Sequence, residues 1–282
     1  MNIILFGSTG FLGKSVHNAL LASSHKVIVI KENITDYVAL SKIKHNADLI
    51  INCAAKVPPS TYEQYIEVNF EGTKNIIKWA KQNNIPKIIH CSTMSVLKKE
   101  WINALETDEY FVENPYSAAH YQNLNKNIDY YCYSKLQAER EFKYDFPNSI
   151  ILRFSALYGN DMKWQGIIAN CVDSIINNTE MYINTNGYGD FLHISDATNI
   201  VLSCINKNIT GIINAASGVE THLPYLVNHD KVNYFQGPNS RAQINIDKMK
   251  NELGYTPKIS IEEGMLELIE KRLYLYNSLD IR

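Results

Sequence analysis

Tyr131 and Lys135 stand four residues apart, and no other tyrosine in the chain has a lysine four positions after it. On a helix this spacing puts both side chains on one face, with Cβ atoms about 5–6 Å apart. A free phenol titrates at about 10, and a neighbouring ammonium favours its ionised form, so the pair has the makings of a general acid or base near neutral pH. Upstream, Ser92 and Thr93 follow the apolar run Lys87-Ile88-Ile89-His90-Cys91. Hydroxyls at such a strand end can hydrogen-bond a substrate carbonyl or alkoxide, or simply cap a turn.

A second constellation lies near the start. Gly7-Ser8-Thr9-Gly10-Phe11-Leu12-Gly13 follows Ile3-Ile4-Leu5-Phe6 and leads into a helical pattern of Phe11, Leu12, Val16 and Leu20. The apolar run reads as a buried parallel strand. Gly7 permits a tight strand-to-helix turn, Gly10 lets the backbone approach a pyrophosphate, and Gly13 lets the helix sit close on the sheet. The spacing is G-x-x-G-x-x-G, and its position between strand and helix points to a dinucleotide.

The next strand, His25 to Ile30, ends at Lys31 with Glu32 beside it. A lysine at this tip can pair with the 2′-phosphate of NADP, whereas an acid there binds the ribose hydroxyl of NAD. Lys31 therefore favours NADP(H), and Glu32 keeps NAD(H) open. A third strand, Ala47 to Cys53, delivers Ala54 and Ala55 to the carboxyl edge of the sheet, where small side chains leave room for a cofactor. Candidate cofactor contacts are Gly7, Thr9, Gly10, Phe11, Leu12 and Gly13, then Lys31, Asn33 and Ile34, then Ala54, Ala55 and Lys56, and finally Tyr131 and Lys135.

Strands and helices alternate up to about residue 155, with a long helical stretch from Tyr62 to Gln82. The pattern predicts an α/β fold: a Rossmann-type doubly wound parallel sheet with a smaller, discontinuous C-terminal substrate lobe. The expected division is 1–155 for the dinucleotide-binding domain, with 190–205 returning to it, and 156–189 plus 206–282 for the lobe. A final helix runs from Ile261 to Tyr276. The stretch between Thr93 and Tyr131 is rich in Tyr, Asn and Glu and reads as an insertion over the site mouth or as surface padding.

The 282 residues are 45% hydrophobic and carry a net charge of −2. That allows a sizeable core and gives no basic footprint for nucleic acid. No apolar run is long enough to span a bilayer and no signal-peptide pattern is seen, so a cytoplasmic location without membrane contact is expected. The cysteines, Cys53, Cys91, Cys132, Cys171 and Cys204, are scattered without zinc spacing, so no metal site is expected. Cys132, beside Tyr131, is the one to watch for reactivity, and His193 reads as structural.

Taken with Ser134-Lys135-Leu136 and Glu139, Arg153 followed by Tyr158-Gly159, Asp190 to Ala197, and Leu253-Gly254-Tyr255-Thr256-Pro257, the chain resembles the extended short-chain dehydrogenase/reductases of the nucleotide-sugar epimerase, dehydratase and 4-ketoreductase group. The resemblance implies Thr93, Tyr131 and Lys135 as the catalytic set, with Lys135 also holding the nicotinamide ribose. It implies a ketone/alcohol reaction at a sugar carbon of a nucleotide-sugar substrate, with a homodimer as an open expectation. Relatives often clamp the substrate pyrophosphate with an arginine, for which Arg241 is the candidate; a surface arginine is the other reading.

Departures narrow the chemistry. Relatives that eliminate water usually carry an Asp-Glu pair after the threonine, and here Met94-Ser95 follows. Where many relatives place an asparagine against the sugar nucleotide, the aligned residue is Ala156. The leading expectation is reduction of a nucleotide-linked 4-keto-6-deoxyhexose at C4 with NAD(P)H, in deoxysugar or surface-polysaccharide biosynthesis. A 4-epimerase with retained NAD is the alternative, and a non-catalytic nucleotide-sensing module is the last.

Overall fold

The computed structural model describes residues 1–97, 101–108 and 126–279. The chain opens with β1 (Asn2–Phe6), α1 (Phe11–Leu21), β2 (Lys26–Ile30), α2 (Tyr37–Ser41) and β3 (Leu49–Asn52). A continuous helical stretch follows: α3 (Tyr62–Tyr65), a π-helical turn at Ile66–Glu71, and α4 (Gly72–Gln82). Next come β4 (Ile88–Thr93), β5 (Trp101–Ala104), α5 (Lys126–Asp145), β6 (Ser149–Phe154) and β7 (Ala156–Tyr158). Then follow α6 (Ile167–Asn177), β8 (Met181–Asn184), β9 (Tyr188–Gly189), β10 (Phe191–His193), α7 (Ile194–Ser203) and β11 (Gly211–Ala215). The last described elements are β12 (Thr221–His222), β13 (Val232–Phe235), β14 (Ala242–Ile244) and α8 (Ile261–Leu279).

Six strands pair in parallel in the order β11-β6-β4-β3-β1-β2. This is the expected Rossmann-type sheet. It is buried on both faces, which is why its strands read as unbroken apolar runs. Ile3 and Leu5 of β1 join a cluster with Val16 and Leu20 of α1 and Ile200 and Val201 of α7, while Ile4 and Phe6 join Leu40, Ile76, Trp79 and Phe142 on the opposite face. Full burial of each such side chain contributes about 1.5–3 kcal/mol. The winding reverses between β1 and β3, so the crevice beyond their carboxyl ends is where a doubly wound fold binds ligands.

The smaller lobe is built from short pairs, β7 with β10, β8 with β13 and β9 with β12. They surround a separate core in which Ile168 and Val172 of α6 meet Met265 and Leu268 of α8. Residues 211–215, which the sequence reading assigns to this lobe, form β11 at the edge of the large sheet beside β6. Their apolar side chains Ile213 and Ala215 are fully buried there, the same demand that draws in the other strands. Residues 194–203 run back against the first domain, where the Thr198 hydroxyl donates to Ser15 Oγ at 2.7 Å. The stretch read as an insertion over the site falls mainly on 98–100 and 109–125, outside the described residues, and within it β5 pairs with β14. Among the described residues no helix is long and apolar enough to cross a membrane, and no group of His, Cys, Asp and Glu could hold a metal ion.

Candidate active site

The glycine turn explains itself residue by residue. Gly7 is held at φ +75°, and a Cβ there would meet the Ala54 nitrogen at 2.4 Å; at Gly13 a Cβ would meet the Gly7 oxygen at 2.0 Å. Both positions are therefore demanded by the packing of β1, β3 and α1. Gly10 is different. Its φ of −73° is ordinary, and a Cβ there would come no closer than 3.5 Å to any protein atom. Among the described residues nothing requires a glycine at this N-cap, and its lack of a side chain leaves the start of α1 open to the close approach of an anion.

A cleft of ≈ 480 Å³ lies at this point, lined by Gly7, Thr9, Gly10, Lys31, Asn33, Ile34, Ala54 and Ala55. Glu32 and Cys53 line it as well. The other expected contacts, Phe11, Leu12, Gly13, Lys56, Tyr131 and Lys135, are not among its lining residues. Phe11, Leu12 and Gly13 form the first turn of α1, and Leu12 packs on the core. Lys56 is fixed through its backbone: its N–H donates to Asn69 Oδ1 at 2.7 Å, and its carbonyl accepts from Asn69 Nδ2 at 3.0 Å. Asn69 also donates to Ser134 Oγ at 3.0 Å, tying this loop to the helix that carries Tyr131. Asn69, which sequence reasoning did not identify, is buried within the helical stretch.

Thr93 ends β4, where its hydroxyl accepts from the Ser95 N–H at 3.2 Å. The same hydroxyl lies near enough to the Tyr131 phenol to lower its pKa, so β4 and α5 bring these two residues together. Burial pushes the phenol above its ordinary value, and Thr93 pulls it only partly back. Tyr131 is thus a protonated donor at neutral pH. The Tyr65 ring packs 5.8 Å away.

Lys135 departs from the sequence expectation in one respect. Its side chain, 1% exposed, turns into the sheet, with Nζ donating to the Cys91 carbonyl at 2.8 Å and lying 3.3 Å from His90 Nε2. Burial lowers its pKa to about 8. The groups that shift the Tyr131 phenol are Thr93, Cys132 and Tyr65 besides burial itself, so the lowering expected from Lys135 is not found in this arrangement. Spacing told which helix face the two residues share, not which wall that face meets. One turn further on, Glu139 pairs with the fully buried Arg153, Nη2 to Oε2 at 2.7 Å, and accepts from the Ser92 hydroxyl.

The substrate candidates lie apart. Ala156 opens β7 in register with Phe191, its methyl group exposed. Arg241 is in the smaller lobe, where Nε and Nη2 each reach a Glu220 oxygen at 2.7 Å and the guanidinium lies 5.4 Å from the Tyr188 ring centroid. Its fork is already engaged by a carboxylate that sequence reasoning did not identify. Cys132 is corrected: burial and Asp129 push its thiol up to about 12, the opposite of activation. His193 is buried and its Nδ1 accepts from the Ser195 N–H at 3.3 Å at the start of α7, a structural role.

Residues 3–216 match the NAD dependent epimerase/dehydratase family. The chain belongs to that family. It is therefore an enzyme of the short-chain dehydrogenase/reductase type that uses a nicotinamide dinucleotide. A Methanocaldococcus jannaschii protein, named as a candidate UDP-glucose 4-epimerase, is 26% identical over 309 residues that cover 95% of this chain and 97% of its own. The structure of UDP-glucose 4-epimerase from Thermotoga maritima with UDP-glucose superposes with a TM-score of 0.80 at 19% identity, covering 99% of this chain and 100% of that one. RMD from Pseudomonas aeruginosa, complexed with NADPH, gives 0.75 at 16% identity, covering 95% and 97%. At such identities the two solved structures speak for the fold.

Proposed function

We propose that this enzyme reduces a nucleotide-linked 4-keto-6-deoxyhexose at C4, with NADP(H) favoured as the hydride source, as a cytoplasmic step in deoxysugar or surface-polysaccharide biosynthesis. The observation that carries this reading is the protonated Tyr131 phenol in contact with Thr93. A ketone that accepts hydride builds negative charge on its oxygen and needs a proton donor, and the phenol stands ready in its protonated form. Thr93 hydrogen-bonds the same oxygen and orients it. Elimination of water would need an acid next to Thr93. Met94 there is buried in the core and the Ser95 N–H is bound to Thr93, which speaks against a dehydratase.

The dinucleotide supplies the hydride when bound. Gly7, Thr9 and Gly10 would hold its pyrophosphate, Lys31 a 2′-phosphate, and Lys135 the nicotinamide ribose. Arg241 would receive the substrate diphosphate after exchanging Glu220 for it. Glu32 beside Lys31 in the same cleft favours the second reading, a 4-epimerase with retained NAD.

The test incubates purified protein with NADPH and a panel of 4-keto nucleotide sugars, following NADPH absorbance and sugar product together. Tyr131→Phe should lower turnover by roughly 10²–10⁴, the range for loss of a general acid, with dinucleotide binding intact. Interconversion of two nucleotide sugars without net NADPH consumption would replace the reductase by the epimerase. Near-normal turnover of Tyr131→Phe would refute both.

A further inference from the structure

Beneath Lys135 lies a chain of polar contacts that the reaction above does not use. Asn52 ends β3 and His90 stands beside it in register on β4, both fully buried. The Ala54 N–H donates to Asn52 Oδ1 at 3.0 Å. A backbone N–H can only donate, so the oxygen of this amide is fixed on that side and its nitrogen must face the other way. That nitrogen lies 3.1 Å from His90 Nδ1. An amide NH₂ can only donate as well, so Nδ1 carries the lone pair and the neutral imidazole holds its proton on Nε2. A doubly protonated ring would set two donors against each other at Nδ1. Nε2, in turn, is 3.3 Å from Lys135 Nζ.

An ammonium has three donors and no lone pair. Facing an Nε2–H in a dry site, it meets another donor. A neutral amine accepts from Nε2–H and still donates to the Cys91 carbonyl, which satisfies every member of the chain. We propose that Asn52 and His90 form a relay of fixed polarity that favours the neutral amine of Lys135 before cofactor binds, so that Lys135 takes up a proton when the dinucleotide arrives. This deepens the functional reading above and rests on Lys135 being a cofactor contact.

The surroundings agree. From β4 the lysine is faced by His90 and Cys91, from the residue after β3 by Cys53, and from its own helix by Glu139, whose carboxylate is engaged by Arg153. Burial is the largest influence on Lys135 and favours the amine, against weaker contrary pulls from Cys91, Glu139 and Cys53. Burial and Lys135 both hold His90 well below its ordinary value, with the Phe142 ring 4.7 Å from it on the helix side. A bound dinucleotide brings phosphate charge and ribose oxygens that accept hydrogen bonds, and both favour the ammonium. Asn52 and His90 touch neither substrate nor cofactor in this scheme. They are positioning residues, and any lowering of the Tyr131 phenol by Lys135 begins only in the loaded site.

Two measurements on the full chain test the relay. The ring ¹⁵N signals of His90, identified by their absence from His90→Phe, should report the Nε2–H tautomer in unmodified, dinucleotide-free protein. Calorimetric titration with NADPH or NADH at pH 8.5, in buffers of different ionisation enthalpy, should show uptake of up to roughly three-quarters of a proton, as a lysine moves from about 8 towards its ordinary value. Lys135→Arg keeps the charge at every pH and should bind with no uptake. Asn52→Asp accepts from Nδ1–H, reverses the polarity and should also abolish uptake. An Nδ1–H tautomer, or dinucleotide binding without proton uptake, or full uptake in Asn52→Asp would overturn the proposal. Failure of NADPH and NADH to bind at all would overturn the cofactor reading instead, while the ring nitrogens still report the relay.

Discussion

Glu139→Ala should cost the protein about 3–5 kcal/mol, because it strands a guanidinium in the interior. Arg153 has no exposed surface, and its Nε lies 3.2 and 3.1 Å from the two Glu139 oxygens, with Nη2 at 2.7 Å from one of them. Nη1 donates to the Glu106 carbonyl at 2.9 Å, which survives the substitution and does not replace a carboxylate. Against a typical total stability of about 5–15 kcal/mol the loss is large, and at roughly 2–4 °C per kcal/mol it lowers Tm by about 10 °C. Urea unfolding followed by tryptophan fluorescence would read it as a fall in midpoint at unchanged slope. The double variant Glu139→Met with Arg153→Met removes both charges and should recover most of the loss. A single variant within about 1 kcal/mol of the parent, or a double variant no better than the single, would refute this account of α5 docking on β4 and β6. Turnover should fall along with stability in Glu139→Ala, since the same helix face carries Lys135 and Tyr131.

Three further outcomes are expected. Lys31→Asp should weaken NADPH binding by roughly 10- to 100-fold, from loss of a charge-assisted phosphate contact, and NADH binding far less; equal losses would remove Lys31 from cofactor choice. Arg241→Ala should raise the apparent KM for substrate by a comparable ~10-fold or more with kcat retained, and an unchanged KM would assign Arg241 to Glu220 alone. Lys135 has a folded pKa of about 8, below its unfolded value, so the unfolded chain binds more protons between the two and stability rises with pH through that window. Relative to Lys135→Met, the parent should therefore gain on the order of 2–3 kcal/mol between pH 7 and 10 in denaturant titrations, and a constant difference would contradict the buried placement.

The sheet and the cofactor cradle were legible because their signals are local. Ile3 to Phe6 followed by Gly7, Gly10 and Gly13 places strand, turn and helix within a few residues, and steric demand at Gly7 and Gly13 admits few alternatives. The i, i+4 spacing of Tyr131 and Lys135 was equally local. What Lys135 touches was not, because His90 and Cys91 come from a strand some forty residues earlier in the chain, and helix periodicity carries no information on the opposing wall. Glu220 and Arg241 are brought together by the β9–β12 pair and the start of β14, elements of two and three residues that are too short to show a strand period. The membership of β11 in the large sheet was hidden for a related reason: Ile212 and Ile213 look like any short apolar run until β6 offers them an open edge.

That edge has a history during synthesis. β6 is buried along its whole length in the finished protein, with β4 on one side and β11 on the other. On the ribosome it can pair with β4 as soon as it emerges, but its second partner is encoded only at residues 211–215, after all of α6, β8 and α7. For that interval the nascent sheet presents the unpaired N–H and C=O groups of Ser149 to Phe154, flanked by Ile150, Ile151 and Leu152, the kind of apolar edge that other chains can extend. At about 5–20 residues per second, the wait lasts several seconds. Expression yield should thus depend on how quickly this stretch is translated and on which chaperones cover it, and a truncation ending anywhere between β6 and β11 should be far less soluble than the full chain.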